Sequence, residues 1–115
     1  MSKEKEILKI ERIKSQLEYH FEQYKEFKNN LQRASRKKDK DKAFENMCIH
    51  AKYIEDLLGD PLIYSVIDNG QQFQFEDFWR YVDSDLPDYL KKIESLLEKL
   101  IRYFYIFLHS NFNLF

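Results

Sequence analysis

The chain contains few of the residues that interrupt regular secondary structure. Only two glycines and two prolines occur among its 115 residues. Because glycine and proline mark turns and loops, their scarcity predicts a few long helices rather than many short strands. The two glycines, Gly59 and Gly70, stand apart, which excludes both a P-loop and a dinucleotide-binding fingerprint. Nucleotide-dependent chemistry of those standard kinds is therefore excluded.

Cysteine and long apolar runs are also scarce. The single cysteine, Cys48, cannot form an intrachain disulfide, which suits a reducing compartment. The first residues, MSKEKEILKIERIK, are charged and lack the apolar core of a signal peptide. No stretch of about 18 uncharged apolar residues is present, so no membrane-spanning segment is expected. These features predict a cytoplasmic protein.

The composition is that of a globular protein with one domain, residues 1–115. Hydrophobic residues make up 43% of the chain and charged residues 34%, which is too apolar for a disordered chain. The net charge of −1 provides no overall field that would attract nucleic acid or an anionic membrane. The abundance of Lys, Ile, Phe and Tyr hints at an AT-rich genome, such as that of a low-GC bacterium or its phage.

The first segment, about Lys3 to Ala34, carries two interleaved series of residues spaced seven apart. Such a repeat predicts a long helix with one seam that faces a partner surface. Because the seam includes tyrosine and histidine, it favours a helix of a bundle over an autonomous leucine zipper. The seam residues are Ile10, Leu17, Tyr24 and Leu31 in one series, and Ile13, His20, Phe27 and Ala34 in the other.

A densely charged stretch from Arg33 to Lys42 follows and is predicted to be a loop. Its basic side chains could contact phosphates. However, Asp39 and Asp41 dilute the positive charge, and no aromatic residue is interleaved for base stacking. This composition favours a solvated connection, so nucleic acid is not an expected partner.

A second helix is predicted from about Asp41 to Leu58. Gly59 is expected to close it in the left-handed conformation, and Asp60 followed by Pro61 indicates a new helix start. The inner face of this second helix is expected to consist of Ala43 or Phe44, Met47, Ala51, Ile54 and Leu58.

Residues 62–82 allow two interpretations. A helix capped by Asp60 would reach about Ile67 and end in a turn at residues 68–70. Alternatively, LIYSVI and QQFQF would pair as a hairpin around the Asn-Gly turn. An isolated hairpin is only marginally stable, which favours the helix. A further short helix is predicted from Phe75 to Val82.

The last thirty residues predict a third long helix, which begins with Asp85 as N-cap and runs to about Ser110 before a C-terminal tail. Between Leu100 and Leu108, only Arg102 is neither apolar nor aromatic. A helix that is apolar nearly all round must be covered on all sides. The stripe with alternating steps of four and three consists of Leu86, Leu90, Ile93, Leu97, Leu100, Phe104 and Phe107.

Arg102 and His109 are the pair of residues closest to a catalytic signature. Seven positions along a helix make about two turns, which places both residues on one face. The pair resembles the Arg-x(4–6)-His element of the HEPN superfamily, whose members are helical bundles and often metal-independent ribonucleases. The resemblance implies an acid–base role for His109 and a phosphate-binding role for Arg102. The competing interpretation is that Arg102 extends to solvent and His109 complements the helix dipole.

The sequence predicts neither a metal site nor a cofactor. With one cysteine and no histidine pair at helical spacing, a zinc site is not expected. The run Asp83, Asp85 and Asp88 lacks the calcium-loop pattern and fits helix capping. The three histidines lie on three different segments: His20, His50 and His109.

The expected fold is all-α, a single antiparallel helical bundle of three long helices plus one or two short helices. The expected function is non-catalytic: an adaptor, inhibitor or immunity-type factor that binds another protein, with a homodimer through the same face as a further possibility. The alternative is a HEPN-like ribonuclease that uses Arg102 and His109. The candidate partner-binding residues are Trp79, Tyr81, Leu100, Phe104, Phe107 and Leu108.

Overall fold

The computed structural model describes residues 3–63, 83 and 85–113, and for residues 107–113 it describes the backbone alone. Within these residues the chain is helical and has no strand, which confirms the all-α prediction for this part. The long helices are α1 (Lys3–Arg33), α2 (Lys37–Leu58) and α3 (Leu86–Asn113). A helical turn at residues 61–63 follows α2.

Helices α1 and α2 form an antiparallel hairpin. His20 of α1 lies beside His50 of α2, while Lys9, nearer the start of α1, pairs with Asp60 beyond the end of α2 at 3.0 Å. Residues 34–36 connect the two helices, and Arg36 has extended backbone angles, φ −88° and ψ 139°. The short connection keeps the two helices side by side along most of their length.

The predicted loop from Arg33 to Lys42 is wrong at Arg33, which ends α1, and over residues 37–42, which form the first turns of α2. Lysine has a high helix propensity, and the side chains of residues 37–42 are exposed, so the helix leaves their charges in water. Charge density alone therefore did not distinguish a loop from a solvated helix start.

Helix α3 runs antiparallel to α1. Lys28, near the end of α1, pairs with Asp83 just before α3, with Nζ and Oδ2 3.0 Å apart. Further back along α1, the pKa of Lys14 is raised mainly by its hydrogen bond to Glu18 and more weakly by the charge of Glu94 in α3. Helix α1 therefore contacts both other helices.

The buried side chains of the three helices and of the turn at residues 61–63 form one apolar core. The predicted inner face of α2 is confirmed, with Ala43 buried and Phe44 half exposed. The seam of α1 also faces inward, although His20, Phe27 and Leu31 are only partly buried. The core residues are Ile7, Ile10, Ile13, Leu17, Tyr24, Met47, Ala51, Ile54, Leu58, Ile63, Leu86, Ile93 and Leu97.

The end of α2 differs from the prediction at one residue. Gly59 has φ −77° and ψ −6°, which is right-handed and not the predicted left-handed conformation. Its N–H still donates to the Glu55 carbonyl at 3.1 Å, so the chain continues the helical curvature into the next turn. Asp60 then caps that turn as predicted, because its Oδ1 accepts the Leu62 N–H at 3.0 Å.

Both ends of α3 also differ from the predictions. Asp83 and Asp85 already lie in a π-helical turn before Leu86, so the predicted N-cap at Asp85 is wrong. At the other end, α3 continues to Asn113, and residues 111–113 are helical where a tail was expected. No glycine or proline follows Pro87, so the sequence contains no residue that would stop the helix earlier.

The two interpretations of residues 62–82 are tested only at their first residues. Leu62 and Ile63 are helical, as the helix alternative predicts. The remainder of that predicted helix, the hairpin turn and the helix expected from Phe75 to Val82 lie outside the described residues.

Candidate functional site

The second half of α3 exposes four apolar or aromatic side chains, which we call the distal surface of α3. Tyr103 is 68% exposed and Ile106 53%. Successive residues of an α-helix are about 100° apart around its axis. The four side chains therefore lie around the part of the helix circumference that the core-facing Leu100 and Phe104 do not occupy. The distal surface consists of Ile101, Tyr103, Tyr105 and Ile106, all classed among the large exposed hydrophobic residues.

The distal surface differs from the residues selected from the sequence. Leu100 and Phe104 are partly buried and pack against the core, so they support the helix from within. Phe107 and Leu108 belong to the helical backbone of α3, and their side chains lie outside the description. The candidates Trp79 and Tyr81 also lie outside the described residues. The sequence signal that indicates the distal surface is the presence of apolar residues between the stripe positions of an amphipathic helix.

Charges of both signs lie on the solvent side of α3. The exposed side chains include four basic and three acidic residues, none of which forms an ion pair with another described side chain: Lys91, Lys92, Lys99 and Arg102, and Asp88, Glu94 and Glu98. Lys92 lies over the ring of Tyr89, with Nζ 5.8 Å from the ring centroid. Tyr103 and Tyr105 on either side of Arg102 around the helix give a surface suited to a partner whose contact area is largely apolar.

The backbone of α3 passes without a break through both Arg102 and His109. The helix therefore places both residues on one face, as the spacing predicts. The Arg102 side chain is exposed, and that of His109 lies outside the description. Among the residues with described side chains, no group of three or more His, Cys, Asp or Glu residues is arranged to hold a metal ion.

The sequence analysis missed a cluster of rings between α1 and α2. His20 and His50 meet with their Nδ1 atoms 2.9 Å apart. Tyr53 stacks on His20 at a centroid distance of 4.6 Å, and Phe27 stacks on His50 at 5.7 Å. Burial lowers the pKa of both histidines, and His50 further lowers that of His20. The available signal was the hairpin register, which pairs position 20 with position 50.

A second polar junction links α1 to the start of α3. The hydroxyl of Tyr24, buried in the core, donates to the Asp83 carboxylate, which also accepts from Lys28. Burial, followed by the charge and hydrogen bond of Asp83, raises the pKa of Tyr24 to about 12. The sequence analysis interpreted Asp83 as one of a run of helix-capping residues, whereas its carboxylate links α1 to the start of α3.

Comparison with known proteins gives no assignment, since the chain matches no protein-family model, no curated protein and no solved structure. None of the helices in the described part is long and apolar enough to span a membrane.

Proposed function

We propose that this chain is a small helical protein-interaction module, an adaptor, inhibitor or immunity-type factor that binds another protein through the distal surface of α3. The exposure of Ile101, Tyr103, Tyr105 and Ile106 on one helix segment carries the proposal. Several exposed apolar side chains on one short segment of a small domain are a common mark of an interaction site. Tyrosine and arginine are enriched among residues that dominate binding energy, and Arg102 lies within the segment.

The proposal extends to the whole chain. We propose one domain over residues 1–115, an antiparallel bundle in which one or two short helices join α2 to α3. The antiparallel packing of α1 against both other helices supports this arrangement. A cytoplasmic location in a bacterium or phage-infected cell fits the single cysteine and the composition, and the proposed binding requires no cofactor. A second copy of the chain is the alternative partner for the same surface.

The test is loss of binding when the distal surface is truncated. Tyr103→Ala with Ile106→Ala removes two exposed apolar side chains without touching the core, whereas changes at Leu100 or Phe104 would also disturb helix packing. Affinity co-purification, followed by mass spectrometry and light scattering, should show a stoichiometric second protein with the wild type and at least tenfold less with the double variant.

Phe44→Ala provides the matched control, because Phe44 is 50% exposed but lies on α2. The control should retain the partner fully, and circular dichroism should show equal helix content in all three proteins. A doubled molecular mass that depends on Tyr103 and Ile106 would assign the surface to self-association. A monomer without a partner, or equal binding by the double variant and the wild type, would contradict the proposal.

The alternative function is a HEPN-like ribonuclease, and the unbroken helix through Arg102 and His109 is the observation that favours it. This alternative expects metal-independent RNA cleavage that His109→Ala reduces by at least 100-fold, since general acid–base catalysis contributes about 10²–10⁴-fold. Arg102→Ala should also lower the rate, whereas the exposed Lys99→Ala should not. RNA that stays intact with purified wild-type protein would eliminate the alternative.

A further inference from the structure

The contact between His20 and His50 lies near the middle of the α1–α2 hairpin. The Nδ1 atoms are 2.9 Å apart, which is hydrogen-bond distance. The rings of Tyr53 and Phe27 stack on the two imidazoles, and Tyr19 meets His20 edge-on at 5.0 Å. The rings are thus held by both helices, so a change in this contact acts on the packing between α1 and α2.

The short Nδ1–Nδ1 distance requires one proton between the two atoms. One imidazole must carry hydrogen on Nδ1 and donate, while the other must offer the lone pair of its Nδ1 and carry hydrogen on Nε2. The two neutral histidines are therefore expected to be opposite tautomers. Neutral imidazoles satisfy this condition, and burial favours the neutral form of both rings.

The first and second protons added to the pair have different consequences. The first binds Nε2 of the donor ring, and the resulting imidazolium still donates from Nδ1 to its neutral neighbour. The second can only bind Nδ1 of the acceptor ring, which removes the lone pair that accepts the hydrogen bond. Two N–H groups and two positive charges would then face each other at 2.9 Å, an arrangement that cannot persist.

No neighbouring carboxylate compensates these charges among the described contacts. The titratable groups in ring contact with the pair are the phenols Tyr19 of α1 and Tyr53 of α2. Two carboxylates reach α1 from α3 and from the turn before it, and both have other partners: Glu94 acts on Lys14, and Asp83 binds Lys28 and Tyr24, which lies one turn from His20. The polar residues one helical turn from either histidine are uncharged: Gln16, Gln23 and Asn46.

We propose that His20 and His50 form a two-proton switch, in which the first proton leaves the α1–α2 contact intact and the second separates the rings and loosens the hairpin. Because the folded protein holds both pKa values below the usual 6.5, this contribution to stability is complete above about pH 6.5 and declines as the pH falls below it. The switch is independent of any partner of α3.

Nitrogen-detected NMR titration of the histidine rings from pH 8 to pH 5 tests the switch in the full chain. We expect opposite tautomers at pH 8, two separated titration steps, and shifts of the α1–α2 backbone amides that follow the second step alone. Identical tautomers, or two independent steps near the usual histidine pKa of about 6.5, would overturn the proposal.

Thermal unfolding at pH 7.5 and 5.5 provides the second readout, in a window where most carboxylates stay ionised. The wild-type Tm should fall by roughly 4–8 °C. His50→Gln leaves one histidine beside a neutral amide, so its fall should be at most half as large. His109→Gln is the control and should retain the full wild-type fall. A fall that disappears with His109→Gln, or one unchanged by His50→Gln, contradicts the switch.

Discussion

Replacement of Leu17 by alanine is expected to lower the free energy of unfolding by roughly 2–5 kcal/mol, the range for a large-to-small change in a packed core. Leu17 has 0% exposure and lies in α1, the helix that contacts both α2 and α3. Loss of the isopropyl group leaves a cavity, and α2 and α3 cannot both move toward α1 to fill it. Since small domains have about 5–15 kcal/mol of total stability, this one change should remove a large share.

Urea unfolding followed by circular dichroism measures this effect as a shift of the midpoint at constant slope. Leu8→Ala is the matched control, because it makes the same chemical change on the same helix at a residue that is 59% exposed. We expect the control to shift the unfolding free energy by less than about 0.5 kcal/mol. Equal losses from Leu17→Ala and Leu8→Ala would contradict the assignment of the inner face of α1.

The long helices could be predicted from the sequence because each contains its own repeated pattern. The spacing of Met47, Ala51, Ile54 and Leu58 in α2 predicts residues that the structure buries, and the seven-residue series of α1 predicts the side of the helix that faces the core. This periodicity can be recognised in the sequence of a single helix, because apolar residues recur on the one side that faces the neighbouring helices and is shielded from water. The same reasoning located the stripe of α3 from Leu86 to Phe104.

The helix ends were predicted less well, because they depend on contacts between helices. Asp85 has the chemistry of an N-cap, yet Asp83 is drawn into a junction with Tyr24 and Lys28, and helical backbone begins before Leu86. The charged residues 37–42 could be a loop or a helix by composition alone. They are helical because α1 and α2 pack antiparallel and need only a short connection, so these residues can belong to α2.

The candidate sites show the same limit. Sequence periodicity selected Leu100 and Phe104 because they lie on the stripe, but the stripe faces the core and the exposed residues lie between its positions. His20 and His50 are thirty residues apart in the chain, so only the register of the α1–α2 hairpin brings them together. The side chains that form a surface are those that the other helices leave uncovered. The sequence of one helix alone does not determine which side chains these are.

Alkaline pH is expected to destabilise the protein through Tyr24. The phenol is 1% exposed and donates to the Asp83 carboxylate, so its ionised form would be buried opposite a negative charge. The folded state raises the pKa of Tyr24 to about 12 from the model-peptide value of 10.0. The corresponding stability is fully present below pH 10 and is lost as the pH rises through 12. At about 1.4 kcal/mol per pKa unit, the loss should be roughly 2–3 kcal/mol.

Tyr24→Phe isolates this effect, because it keeps the ring in the core and removes the group that ionises. At pH 8 the variant should be less stable than the wild type by about 1.5–3 kcal/mol, the range for a hydrogen bond to a charged group. Between pH 9.5 and 12 the difference should shrink toward zero. Tyr103→Phe, which removes an exposed hydroxyl, should follow the wild-type curve, and a Tyr24→Phe curve parallel to the wild type would contradict the prediction.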